Sequence, residues 1–182
     1  TPPLVDGWDI AVAAGNEDRL AGIFYDWGML DDGTLTVALG LSEQPGLPGA
    51  LIATAMLATL RAQQNHAHSP SLLLRDVSES LWQGSIGDQF GTLIYALIQP
   101  ESGQVQLSAA GRIGAAIVGA SGYQPIVPSR TALGDPELNV QDQVFRMRAG
   151  DFLAAVTQTS RESGRANRRR MMDRESLKVL QK

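Results

Sequence analysis

Residues 31–60 read DDGTLTVALGLSEQPGLPGALIATAMLATL, and a change of period inside this stretch decides the fold. Thr34 to Leu39 alternates polar and apolar side chains, the signature of a strand with one buried face. Asp31-Asp32-Gly33 in front of it predicts a hairpin turn, because glycine tolerates the positive φ that such turns demand. From Leu47 the spacing becomes helical. Leu51, Ile52, Ala55, Met56, Ala58 and Leu60 predict a helix from Pro48 to Gln63, with proline in its first turn. Its alanines let it lie close against a sheet.

Outward from this stretch the pattern is strands, two helices, then strands again. Asp9 to Ala14 and Leu20 to Tyr25 read as strands. The polar run Gln63 to His68 ends the first helix. Ser69-Pro70 opens a second with a hydroxyl cap and proline at the first helical position, and Leu73, Leu74, Val77 and Leu81 form its buried stripe. Strands are predicted over Gly91–Ile98, Gln104–Ala109, Ala115–Val118, Tyr123–Val127, Val144–Met147 and Phe152–Val156. Arg174 to Gln181 is read as a short terminal helix. Antiparallel hairpins on both sides of a helical pair predict an α+β fold, a two-sheet antiparallel β-sandwich with helices on an outer face. Residues 1–7 read as the end of a linker and 8–182 as one domain. The opening Thr-Pro-Pro reads as the start of a piece cut from a longer protein.

Composition removes several chemistries. The chain has 182 residues, 43% of them hydrophobic and 19% charged, which is ordinary globular usage and not that of a disordered chain. It has no cysteine, so disulfides, thiolate metal sites and cysteine nucleophiles are out and a reducing, cytoplasmic setting is expected. No apolar run approaches the ~20 residues that span a bilayer, so no membrane segment is expected. The two histidines, His66 and His68, sit in a polar loop and read as solvated, too few for a Ser-His-Asp triad or a three-histidine metal site. Ser69 reads as a cap before a nucleophile, Trp82 as packing, and the glycines from Gly111 to Gly122 as turns and not phosphate cradles.

Charge is unevenly placed. Residues 161–182 hold eight basic against three acidic residues, a net of +5, which leaves seven basic against sixteen acidic, −9, for the rest. The basic run lacks aromatics and the body repels phosphates, so nucleic-acid binding is not expected. Arg168, Arg169 and Arg170 read as a solvated face, with docking of an acidic partner as the functional alternative.

Several segments, in order and at matching spacings, resemble the SpoIIE/RsbU-like branch of the metal-dependent serine/threonine protein phosphatases, the PPM class. Ala21-Gly22-Ile23-Phe24-Tyr25-Asp26 stands where that branch carries G-G-D-F-Y-D, and Leu30-Asp31-Asp32-Gly33 matches its Leu-x-Asp-Gly hairpin. Ala38-Leu39-Gly40-Leu41-Ser42-Glu43-Gln44-Pro45-Gly46-Leu47-Pro48-Gly49-Ala50 matches A-L-G-D-V-S-G-K-G-L-P-A-A. Gln89 to Leu93 resembles the F-x-T strand entry, and Ser108-Ala109-Ala110-Gly111-Arg112 resembles A-S-A-G-H with arginine for histidine. Leu133-Gly134, Arg148 to Leu153, and Thr157 to Glu162 match the P-L-G, P-G-D and T-D-G-V-T-E blocks. The resemblance implies an α-β-β-α sandwich with two manganese or magnesium ions at one edge, activating water for phosphoserine or phosphothreonine hydrolysis.

The carboxylates of that site do not carry over. The three family aspartates correspond to Ile23, Leu41 and Gln158: two hydrocarbon side chains and one neutral amide. Hard divalent cations need anionic oxygens. Two +2 charges ~4 Å apart at an effective dielectric of ~20 repel by roughly 16 kcal/mol unless neutralised. No catalytic or metal-ligating residue is therefore expected at the family positions and no cofactor is expected. The reading is a pseudophosphatase, a regulatory or protein-binding module in bacterial signalling. Its partner would be a phosphoprotein resembling an anti-sigma antagonist, or a linked sensor domain. Ile23 and Leu41 as ordinary core residues is the bland reading of the same positions. The enzymatic alternative is an active phosphatase that holds manganese or magnesium through Asp26, Glu43 and Glu162. Asp26 is a poor substitute because its offset from Ile23 puts it on the opposite face of a strand. A purely structural role, with a homodimer as one form of it, is the third reading.

Overall fold

The computed structural model describes residues 5–13, 22–66, 69–84, 88–120, 122–157 and, for its backbone, 175–181. Among the described residues, ten strands and two helices follow one another as β1 (Trp8–Ala13), β2 (Ile23–Met29), β3 (Leu35–Ser42), α1 (Gly46–Gln63), α2 (Pro70–Gln83), β4 (Gly91–Gln99), β5 (Gln104–Ala110), β6 (Ile113–Gly119), β7 (Gly122–Ile126), β8 (Gln143–Arg146), β9 (Phe152–Thr157) and β10 (Glu175–Gln181). They form two five-stranded sheets, ordered β1-β10-β9-β6-β7 and β2-β3-β4-β5-β8, and every pairing is antiparallel.

The β2–β3 hairpin turns where the sequence predicts. Gly33 has φ of 81°, its N–H donates to Leu30 O at 2.9 Å, and Asp32 Oδ1 accepts from Thr34 N at 2.9 Å. Along β3 the odd residues Leu35, Val37 and Leu39 face the second sheet, meeting Ile94, Ile98, Leu107, Ile117 and Leu153 in the inter-sheet core. Ala38, on the other face, packs under the helices with Phe24, Met56, Leu73, Leu74, Val77 and Tyr95. Both helices thus cover one outer face of the β2–β5 sheet. Among the described residues the layers are helix, sheet, sheet. Residues 158–174, which join β9 to β10, lie outside them.

Ser69 caps α2 as expected, with φ −156° and its hydroxyl accepting from Leu72 N at 3.4 Å. Leu73, Leu74, Val77 and Leu81 are all buried. Three expectations are corrected. The strand read over Leu20 to Tyr25 continues to Met29 and leaves out Gly22, while Leu20 and Ala21 lie outside the described residues. Trp82, read as packing, is 45% exposed, because the last turn of α2 points it away from the side that buries Leu81. The terminal segment is a strand and not a helix: β10 lies between β1 and β9, with Leu177 opposite Val12 and Ala155. Two flanking ladders satisfy its backbone, and this tertiary pairing overrides local helix propensity. No described helix is long and apolar enough to cross a membrane.

Candidate functional site

Of the three positions where the family carries aspartates, the structure describes Ile23 and Leu41 and brings them together at one end of the β2–β3 pair. β2 pairs with β3 so that Ile23 is directly opposite Leu41, and β3 pairs with β4 so that Leu41 is opposite Thr92. Leu41 and Thr92 share their strand faces with Leu39 and Ile94, so this row looks into the space between the sheets. From the other sheet, Ile113 is opposite Thr157. Leu41 is 5% exposed and Thr157 1%, and Ile23 packs against the inter-sheet core.

Glycines bring β2 and β3 up to α1 at this end. Gly22, with φ +71°, accepts Ser42 N–H on its carbonyl at 2.8 Å. A side chain there would sit 3.1 Å from the backbone of Gly49. Gly49 in turn presses against the turn before α1, where a Cβ would fall 1.8 Å from Gln44 O. The close approach of strand, turn and helix is thus built from the backbone alone.

The donor chemistry of the row is sparse. Ile23 and Leu41 offer no donor atom. Thr92 Oγ1 is occupied by Arg112 N–H at 3.1 Å. Thr157 Oγ1 is buried and has no hydrogen-bond partner among the described residues. Gln158 lies outside the described residues, as does Glu162. Among the described residues no three His, Cys, Asp or Glu side chains gather as a metal site would need. The described part of the row does not suit two hard divalent cations.

The two described alternative carboxylates are both engaged by arginines. Asp26, on the helix-facing side of β2, is gripped by Arg61 of α1, Nη2 to Oδ1 at 2.7 Å and Nε to Oδ2 at 2.9 Å. These hydrogen bonds, then the carboxylate's charge, raise the guanidinium's pKa further. Glu43 begins the turn after β3, its N–H bound to Phe90 O at 2.9 Å, and its Oε2 lies 3.5 Å from Arg112 Nη2. Asp26 and Glu43 are therefore each held by a different arginine, one from α1 and one from the turn before β6. His66 is exposed at the end of α1, and His68, Arg168, Arg169 and Arg170 lie outside the described residues.

Two arrangements were not foreseen from the sequence. The Glu43–Arg112 pair joins segments 69 residues apart, and only the arginine in the A-S-A-G-H block hinted at it. Asp142 binds the start of α2 to β5, accepting from Ser71 N at 2.7 Å, Ser108 Oγ at 2.8 Å and Gln106 Nε2 at 3.0 Å.

Comparison with known proteins agrees with this architecture. No curated protein sequence matches the chain. Among solved structures, the RsbU and RsbW domains of a Mycobacterium tuberculosis protein superpose with a TM-score of 0.77 at 20% identity, over 98% of this chain and 62% of that one. The SiaA-PP2C domain of Pseudomonas aeruginosa gives 0.74 at 13% identity, over 97% and 86%. The PP2C phosphatase domain of SpoIIE from Bacillus subtilis, solved with a fragment of its regulatory domain, gives 0.74 at 12%, over 96% and 63%. The chain thus spans less than two thirds of two of these. The family model for stage II sporulation protein E (SpoIIE) matches residues 31–182, and the chain belongs to that family, within the SpoIIE/RsbU-like branch of PPM phosphatase domains.

Proposed function

We propose that this domain is a pseudophosphatase: it keeps the SpoIIE scaffold and acts as a regulatory, protein-binding module in bacterial signalling, without metal-dependent hydrolysis. The observation that carries the reading is the direct pairing of Ile23 with Leu41. The resemblance assigns aspartates to both positions, and their register as cross-strand neighbours supports the alignment that puts hydrocarbon in place of both. Without those charges, two close dications would meet repulsion on the order of 16 kcal/mol and an apolar lining.

A phosphoprotein resembling an anti-sigma antagonist, or a sensor domain on the same polypeptide, is the partner this reading calls for. The M. tuberculosis neighbour carries an RsbW domain beside its RsbU domain, which supports a protein partner. The absence of cysteine supports a cytoplasmic setting.

Calorimetric titration with manganese, beside a p-nitrophenyl phosphate assay in the same buffer, tests it. The expected result is no tight metal binding and no turnover. Two tight sites with turnover would replace this reading by an active phosphatase that uses Asp26, Glu43 or Glu162.

A further inference from the structure

We propose that Arg112, with Arg130 on the adjoining loop, directly receives the phosphate dianion of a phosphorylated serine or threonine on the partner protein. The inference rests on the pseudophosphatase reading and gives its binding site a chemistry: anion capture by guanidinium where relatives would use cations.

Arg112 is held by its backbone, and its tip is exposed and weakly paired. Its N–H donates to Thr92 Oγ1, in the same row as Leu41 and Ile23. Gly111 before it has φ +79° and lies so close to Thr92 that a Cβ would sit 2.5 Å from Oγ1, which fixes where the arginine leaves the turn. The side chain is 75% exposed, and its ion pair with Glu43 is a single 3.5 Å contact. Such an exposed pair is worth little, whereas a phosphate offers the fork-shaped guanidinium two parallel charge-assisted bonds.

A second cation comes from the loop after β7. Ser129 bridges Ala110, and Gly111 N–H donates to Ser129 O at 3.0 Å, so the exposed Arg130 follows alongside Gly111 and Arg112. Thr92, which accepts the Arg112 N–H, stands opposite Leu41, and Leu41 stands opposite Ile23, so the strand ends next to Arg112 carry no charge at those positions. Aspartates there would repel a phosphate unless cations neutralised them; hydrocarbon does not.

The test is a titration of ¹⁵N-labelled protein at constant ionic strength with inorganic phosphate, a phosphoserine peptide and the same peptide without phosphate, read by amide shifts. Saturable shifts confined to Glu43 and Gly111–Ile113 are expected with phosphate and the phosphopeptide. They should weaken at least tenfold in Arg112→Gln and less in Arg112→Lys, which keeps the charge but not the fork. Glu43→Gln, which removes the competing carboxylate, should tighten binding several-fold. A structural ion pair predicts no such gain. Shifts that are absent, that survive Arg112→Gln, or that do not distinguish the two peptides would overturn the proposal. Manganese calorimetry on the same sample, without phosphate, separates the two readings. Tight metal sites sink the pseudophosphatase reading, whereas no metal and no phosphate binding sinks this inference alone.

Discussion

Ile23 and Leu41 stand directly opposite one another on the antiparallel strands β2 and β3, both turned toward the space between the sheets. Side chains in that relationship have Cβ atoms ~4.5–5.5 Å apart. Two carboxylates so placed can share or bridge cations, and two hydrocarbons cannot.

The first prediction follows from that spacing. Ile23→Asp with Leu41→Asp should destabilise the metal-free domain by on the order of 3–5 kcal/mol, because two uncompensated charges are placed in a largely buried row. Manganese should return a part of this, about 2.7 kcal/mol at a hundredfold excess over its dissociation constant. Thermal melting with and without manganese reads both effects. The unmodified domain should show no manganese response, and a variant equally indifferent to the ion would mean that these positions do not face a metal-competent space.

Asp26 answers a different question. Its two bonds from Arg61 tie β2 to α1, and Arg61 is 61% exposed at its side chain, so solvent screens the pair. Asp26→Ala should cost about 1 kcal/mol in denaturant unfolding. Adding Arg61→Ala should cost little more, since the partner is already gone. If Asp26 were instead a metal ligand, its removal would abolish a manganese-dependent gain in melting temperature that the unmodified domain would have to show.

How much of this was legible beforehand depends on the range of the interaction. The Thr34–Leu39 alternation, the Gly33 turn and the Ser69-Pro70 cap are local rules, and the structure follows them because nothing distant opposes them. β10 was misread because its strand character comes from pairing with β1, at the far end of the chain, and with β9, not from its own residues. Trp82 was misread because an aromatic residue next to a buried leucine says nothing about which side of a helix it leaves. At the site, residue types at Ile23 and Leu41 could be read from motif order. Their pairing, and the reach of Arg112 to Glu43, needed the register of four strands.

Gly49 gives a steric prediction at the same end of the sandwich. Its hydrogen occupies space in which a methyl would lie 1.8 Å from Gln44 O, a backbone atom that cannot rotate away. Gly49→Ala should therefore cost about 3 kcal/mol, at the upper end for overpacking, despite alanine's better helix propensity. Chemical denaturation checks it. A neutral or stabilising outcome would mean that the turn from Ser42 to Gly46 is free to move off α1, and the close contact with Gly22 would lose its structural role.

The last prediction concerns acid. Burial pushes the Asp142 carboxyl pKa up, but hydrogen bonds from Ser108, the Ser71 N–H, Gln106 and Ser69 outweigh it and hold the group below its ordinary 3.8. A carboxylate depressed in the folded state adds stability that is complete above the unfolded value and disappears as pH falls through the folded one. The unmodified domain should accordingly lose stability as pH drops below about 4. Asp142→Asn should be weaker at neutral pH by about 1–2 kcal/mol, because the amide can keep only some of these donors satisfied. The two should converge in acid, since both then present a neutral group to Ser71, Gln106 and Ser108. Denaturant unfolding of both proteins from pH 7 to pH 3 measures the difference directly. A gap that stays constant across that range would show that Asp142 holds α2 to β5 by shape and not by charge.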